Sequence, residues 1–183
     1  MDAARALMHE WTDSEALRFH MEAVASCMGV YARALEPAEE SRWVVAGLLH
    51  DFDYEKHPSA EEHPFVGVTH LESLGVDEEI RRAILGHAEY SGVARESTMA
   101  KALFACDELA GFIVACAKVR PNGIEDLGAK SVKKKLKTAG FAAAVSRDDI
   151  ARGVEEFGPV AGVDQDGHIT RCIEAIRGDR KST

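Results

Sequence analysis

From Ser97 to about Val119 the chain is apolar on most sides of a helical wheel, with Leu103, Phe104, Leu109, Phe112, Ile113 and Val114 spread around it. A helix without a polar face has to be surrounded, because each apolar side needs another element to take it out of water. The run therefore predicts a central helix with others packed about it. Pro121-Asn122-Gly123 ends it. One acidic residue, Asp107, lies in its middle, between Cys106 and Glu108. A carboxylate among so many apolar neighbours calls for a buried partner, with His20 and Arg120 as protein candidates, or for a metal ion.

The rest of the pattern is also helical. Thr12 and Glu15 are spaced as a capping box, and Leu17, Met21, Val24 and Met28 recur every three or four residues after them, predicting a helix to about Leu35. Pro37 suits the first turn of a second helix ending near His50. Phe52 to Glu62 reads as a loop. A third helix is expected from His63-Pro64 to Gly75, and a fourth from Asp77 with Ile80, Ile84 and Leu85 inward. Two or three shorter helices follow, at roughly 129–138, 148–157 and 168–178. No alternating strand pattern of convincing length appears, so the expected class is all-α. A chain of 183 residues, 46% hydrophobic and 29% charged, suits one domain spanning 1–183, with a core at about 14–118 and a helical extension at about 121–183.

Bulk properties narrow the partners. A net charge of -9 argues against broad attraction to nucleic acid or anionic membrane. No apolar stretch is long enough for a membrane span, and Met1 to Arg5 lacks the apolar core of a signal peptide. Cys27, Cys106, Cys116 and Cys172 are scattered without C-x-x-C spacing and read as small core residues. Together these features fit a reduced, cytoplasmic location.

The chemistry concentrates on a few polar residues in apolar surroundings. His50-Asp51 closes the run Trp43-Val44-Val45-Ala46-Gly47-Leu48-Leu49. Imidazole nitrogen with carboxylate oxygen is a donor set for a divalent cation. Adjacent side chains diverge by about 100° on a regular helix, so a pair at a helix end has the freedom to converge. His20, His63, His87 and Asp107 fall on four further expected helices, the arrangement from which helix bundles build metal sites. Taken singly, each histidine has a plainer reading: a satisfied core or surface residue for His20, a loop residue for His63, a helix-dipole partner for His87.

The order His20, His50-Asp51, Asp107 resembles the HD-domain superfamily of metal-dependent phosphohydrolases, over about residues 14 to 118. Gly47-Leu48-Leu49-His50-Asp51 is similar to that family's signature helix end. The stretch from Asp107 through Arg120-Pro121, and on through Lys130 to Lys135, is similar to a group of small uncharacterised HD proteins. The resemblance implies an HD-like helical bundle, a divalent metal held by His20, His50, Asp51 and Asp107, and water activated for attack on a phosphate ester. His63 and His87 stand where two-metal relatives place ligands for a second ion, with Asp51 bridging. One or two ions are compatible, and Mn, Fe, Co, Ni, Zn and Mg all remain open.

The chain also departs from the better-known branches. His50-Asp51-Phe52-Asp53 replaces His-Asp-Ile-Gly, and His87 is followed by Ala88 rather than a second histidine. The Gly-Tyr-Pro element of cyclic-dinucleotide phosphodiesterases is absent. The expected substrate is a small phosphate ester, a nucleotide or related metabolite. Arg120, Lys130, Lys133 and Lys134 are the candidate phosphate contacts, the lysines being equally readable as a solvated helix face. Asp53, Glu55 and Lys56 are candidates for proton transfer, or plain loop charges. The competing reading is a non-catalytic helical module that binds a metal or ligand.

Overall fold

The computed structural model describes residues 1–179, and all regular structure in them is helical. The order is α1 (Asp2–Trp11), α2 (Glu15–Leu35), α3 (Glu40–Leu49), α4 (Phe65–Ser73), α5 (Glu78–His87), α6 (Thr98–Lys118), α7 (Ala129–Leu136), α8 (Arg147–Ala161) and α9 (Gln165–Asp179). Short 3-10 turns at Pro37–Glu39 and Glu89–Ser91 lead into α3 and follow α5.

The apolar helix α6 is central, as its sequence demands. It packs against α2, α5, α8 and α9. Ser97 caps it, its hydroxyl accepting the Ala100 N–H at 3.1 Å. On α2 the cap is Ser14, which accepts the Leu17 N–H. Thr12, the expected capping residue, is buried instead and donates its hydroxyl to the Phe52 carbonyl at 3.0 Å. It thereby ties the start of α2 to the chain just beyond His50-Asp51.

Helices α2 and α3 approach closely at Gly47. A Cβ there would stand 2.6 Å from the Ala25 Cα. The close fit holds the last turn of α3, and so His50, hard against the bundle. Helix α1 is absent from the sequence-based expectation because it buries only Ala4 and Met8. Beyond residue 120, α7 packs on α9, α8 lies along α6, and α9 reaches α2 and α6. Phe157, Ile169, Cys172, Ile173 and Ile176 from this extension are buried in the core cluster.

Candidate metal centre

The last turn of α3 ends at Leu49, and His50 and Asp51 follow as the chain leaves regular helix. His50 donates its Nδ1–H to the Gly47 carbonyl at 2.8 Å, which turns Nε2 toward α2 and α6. There it meets His20 Nε2 at 3.2 Å and Asp107 Oδ1 at 3.3 Å. His20 Nε2 and Asp107 Oδ1 are 2.9 Å apart. Asp51 Oδ2 completes this set, 3.5 Å from His50 Nε2 and 3.7 Å from His20 Nε2.

The other oxygen of Asp51 faces a second set. Its Oδ1 lies 3.4 Å from His63 Nε2 and 3.3 Å from His87 Nε2, and those two nitrogens are 3.3 Å apart. His87, at the end of α5, donates Nδ1–H to the Ile84 carbonyl. His63 donates Nδ1–H to Asp53 Oδ1 at 2.7 Å. The three buried histidines thus hold one ring nitrogen on a protein oxygen and offer the other, the arrangement that orients imidazole for a metal. The atoms offered by His20, His50 and Asp51 lie within 4.8 Å of one another, as do those of Asp51, His63 and His87.

The electrostatics call for cations at these positions. Burial works against a charged His50, yet the carboxylates of Asp51 and Asp107 outweigh it and raise the imidazole to about 9. Burial likewise opposes ionisation of both acids. The surrounding imidazoles prevail: His50 and His87 hold Asp51 low, and His50 and His20 hold Asp107 well below the usual carboxylate range. Two buried carboxylates are therefore balanced in the bare chain by protons on histidine. A divalent ion satisfies the same charge by displacing those protons, so the donor set fits a metal in chemistry as well as in geometry.

The clusters form the floor of an open cleft of about 490 Å³. Tyr54, Glu89, Tyr90, Phe104, Glu108, Val145 and Asp149 line its walls. Burial and the neighbouring Asp107 charge push Glu108 up to about 7, although it accepts the Ser146 N–H at 3.1 Å. Tyr54 and Tyr90 are exposed aromatics, each three residues after a candidate ligand. An isolated tyrosine beside a ligand position is the one sequence signal that points to this wall.

Several nominated residues lie elsewhere. Asp53 is buried behind the second set, accepting from His63 Nδ1 and from the Gly67 N–H, each at 2.7 Å. It has no path to a reacting group and positions His63. Lys56 reaches the opposite way, donating to the Glu10 carbonyl and covering the Trp11 ring. Arg120 is paired with Asp126, and Lys133 with Asp166. Arg120 and Lys134 border a separate groove with Cys116 and Thr138. Lys130 is exposed on α7 and does not line the cleft. The basic segment faces α9 and solvent because Val132 is its buried side.

Comparison with protein families agrees with this geometry. The model of the HD domain family matches residues 18–111, more than half of the chain. The chain belongs to the HD-domain family, a superfamily of metal-dependent phosphohydrolases that bind divalent ions. Comparison with curated proteins gave no match, and comparison with solved structures gave none. Among the described residues, no helix is long and apolar enough to cross a membrane.

Proposed function

We propose that the chain is a two-metal phosphohydrolase acting on a small phosphate ester, a nucleotide or related metabolite. One observation carries the reading: the two oxygens of Asp51 face two separate ligand sets, His20, His50 and Asp107 on one side and His63 and His87 on the other. A carboxylate so placed would hold one ion on each side. Imidazole-rich sets of this kind suit Mn, Fe, Co, Ni or Zn better than Mg. Divalent ions supply an acidified water near neutral pH and offset the charge of a phosphoryl group.

The chain's own residues do the remaining work. His63 is held in register by Asp53, and His50 and His87 by backbone carbonyls. Among the described residues, the cleft wall carries Glu89, Glu108 and Asp149 and no lysine or arginine. Phosphate charge therefore has to be met at the metal sets. Glu108, with its raised affinity for a proton, is the candidate to hand one to the departing oxygen. Tyr54 and Tyr90 offer planar faces at the rim that suit a nucleobase.

The test is a panel of nucleotides and simple phosphomonoesters and diesters, assayed with each divalent metal. Metal-stimulated release of phosphate or nucleotide is expected, and Asp51→Asn lowers it by about a thousandfold or more, since both ion positions lose their shared ligand. A folded, metal-loaded protein inert across the panel leaves a binding module instead.

A further inference from the structure

A second cluster lies away from the cleft, where α2, α6 and α9 meet. Cys27 comes from α2, Cys106 from α6, and His168 and Cys172 from successive turns of α9. All four are at most 1% exposed. Cys27 donates its thiol to the Cys172 carbonyl at 3.8 Å. Cys172 Sγ lies 3.9 Å from His168 Nδ1, and the donor atoms of Cys106, His168 and Cys172 fall within 4.8 Å of one another. The remaining cysteine, Cys116, lies on the separate groove beside Arg120. Cys106, His168 and Cys172 thus form a set of three neighbouring donors, with the Cys27 thiol beside them.

The orientation of His168 is an independent observation. Its Nε2–H donates to the Ala105 carbonyl at 2.9 Å. That bond leaves the lone pair on Nδ1, which is turned into the cluster and accepts the Tyr31 hydroxyl at 2.5 Å. A backbone carbonyl on the far ring nitrogen is how metal-binding histidines are held. In a tetrahedral zinc site with three sulfurs and one nitrogen, sulfur–nitrogen edges are about 3.6 Å and sulfur–sulfur edges about 3.8 Å. The observed sulfur–nitrogen separation needs a shift of only a few tenths of an ångström to meet that figure.

We propose that Cys106, Cys172 and His168 Nδ1, joined by Cys27 as its thiol turns from the Cys172 carbonyl, form a structural zinc site that fastens α9 to α2 and α6. Each thiol releases its proton to solvent as its sulfur–zinc bond forms, and the imidazole binds as the neutral base. Three thiolates on a dication leave one net negative charge. Arg171, whose guanidinium stands 5.0 Å over the Tyr31 ring, offsets it. Tyr31, displaced from Nδ1, donates its hydroxyl to a thiolate sulfur. The set is rich in sulfur while the cleft holds only nitrogen and oxygen donors, so the two sites select different metals.

The experiment uses the full chain carrying Asp51→Asn, which disables the cleft, grown with zinc supplementation and separately loaded with Co²⁺. One zinc per chain that a thiol-specific mercurial releases is expected. Cobalt loading is expected to give a thiolate-to-metal charge-transfer band, which a nitrogen and oxygen site does not produce. Cys106→Ser combined with Cys172→Ser removes both signals. Should that variant fail to fold, the cobalt spectrum of the chain with its cysteines intact decides alone. A folded Asp51→Asn chain with no mercurial-releasable zinc and no charge-transfer band overturns the proposal.

Discussion

Asp53 shows how much of the centre rests on a residue that never reaches the cleft. One of its oxygens orients His63 and the other is held by the Gly67 amide. Burying a carboxylate is tolerable only because both oxygens are occupied. Asp53→Asn is expected to weaken metal binding at the His63–His87 set by about 10- to 100-fold, with the fold retained. Titration with Mn²⁺, followed by the paramagnetic effect on water relaxation, reads this directly. Gly67→Ala acts through the same contact, since its Cβ would stand 2.7 Å from the Asp53 carboxylate. It should reproduce the loss without removing a charged group. Unchanged affinity in both variants would remove Asp53 from the account.

Helices position these residues, and one staple shapes the cleft wall. Arg95 binds Glu156 of α8 with two nitrogens at 2.7 Å each, donates to the Gly86 carbonyl of α5 and lies over the Phe104 ring of α6. It fixes the turn carrying Glu89 and Tyr90 against three helices. Glu156→Ala is expected to cost about 1 kcal/mol near pH 7, a modest figure because the pair is partly solvated. Arg95 holds the Glu156 carboxyl below its ordinary value of 4.5. Its contribution is therefore present above that value and is lost as pH falls through the lower folded-state pKa. Urea unfolding of both proteins between pH 3 and 7 should show the difference closing at the acid end; a gap constant with pH contradicts it. The helices themselves are largely legible in the sequence, since α2, α3, α5 and α6 carry long apolar stripes, and α5 and α6 open on the capping residues Asp77 and Ser97. The ligand order was legible too, because Asp107 inside α6 and His50-Asp51 at the end of α3 are polar residues in conspicuously apolar runs. Lys56, Arg120 and the α7 lysines stand out by charge and by place along the chain, and neither says which way a side chain faces. Arg120 stands 13 residues beyond Asp107, about 20 Å along a helical path. The placement of Asp51 between two imidazole sets and the pairing of Asp53 with His63 arise only when α3, α4 and α5 converge, so no local pattern encodes them.

At the scale of the whole molecule, candidate ligands from α2, α5, α6, the end of α3 and the loop before α4 share one centre, so metal binding there would couple to the stability of the fold. A metal present at about 100 times its dissociation constant adds about 2.7 kcal/mol. In a chain of this size that corresponds to a rise of about 5–10 °C in Tm, which calorimetry with and without chelator would detect. A Tm indifferent to metal in the Cys106→Ser chain, where the thiolate cluster is disabled, contradicts metal occupancy of the cleft. Under the proposed function the same convergence would let an acidic cleft accept a phosphate ester, because cations held there would reverse its charge. The central claim is that Asp51 bridges two ions. Its most direct test is the anomalous difference map of crystals grown with Mn²⁺. Two peaks are predicted, one between Asp51 and the His20, His50 and Asp107 set, the other between Asp51 and the His63 and His87 set. A single peak, or none, in a crystal saturated with metal contradicts it.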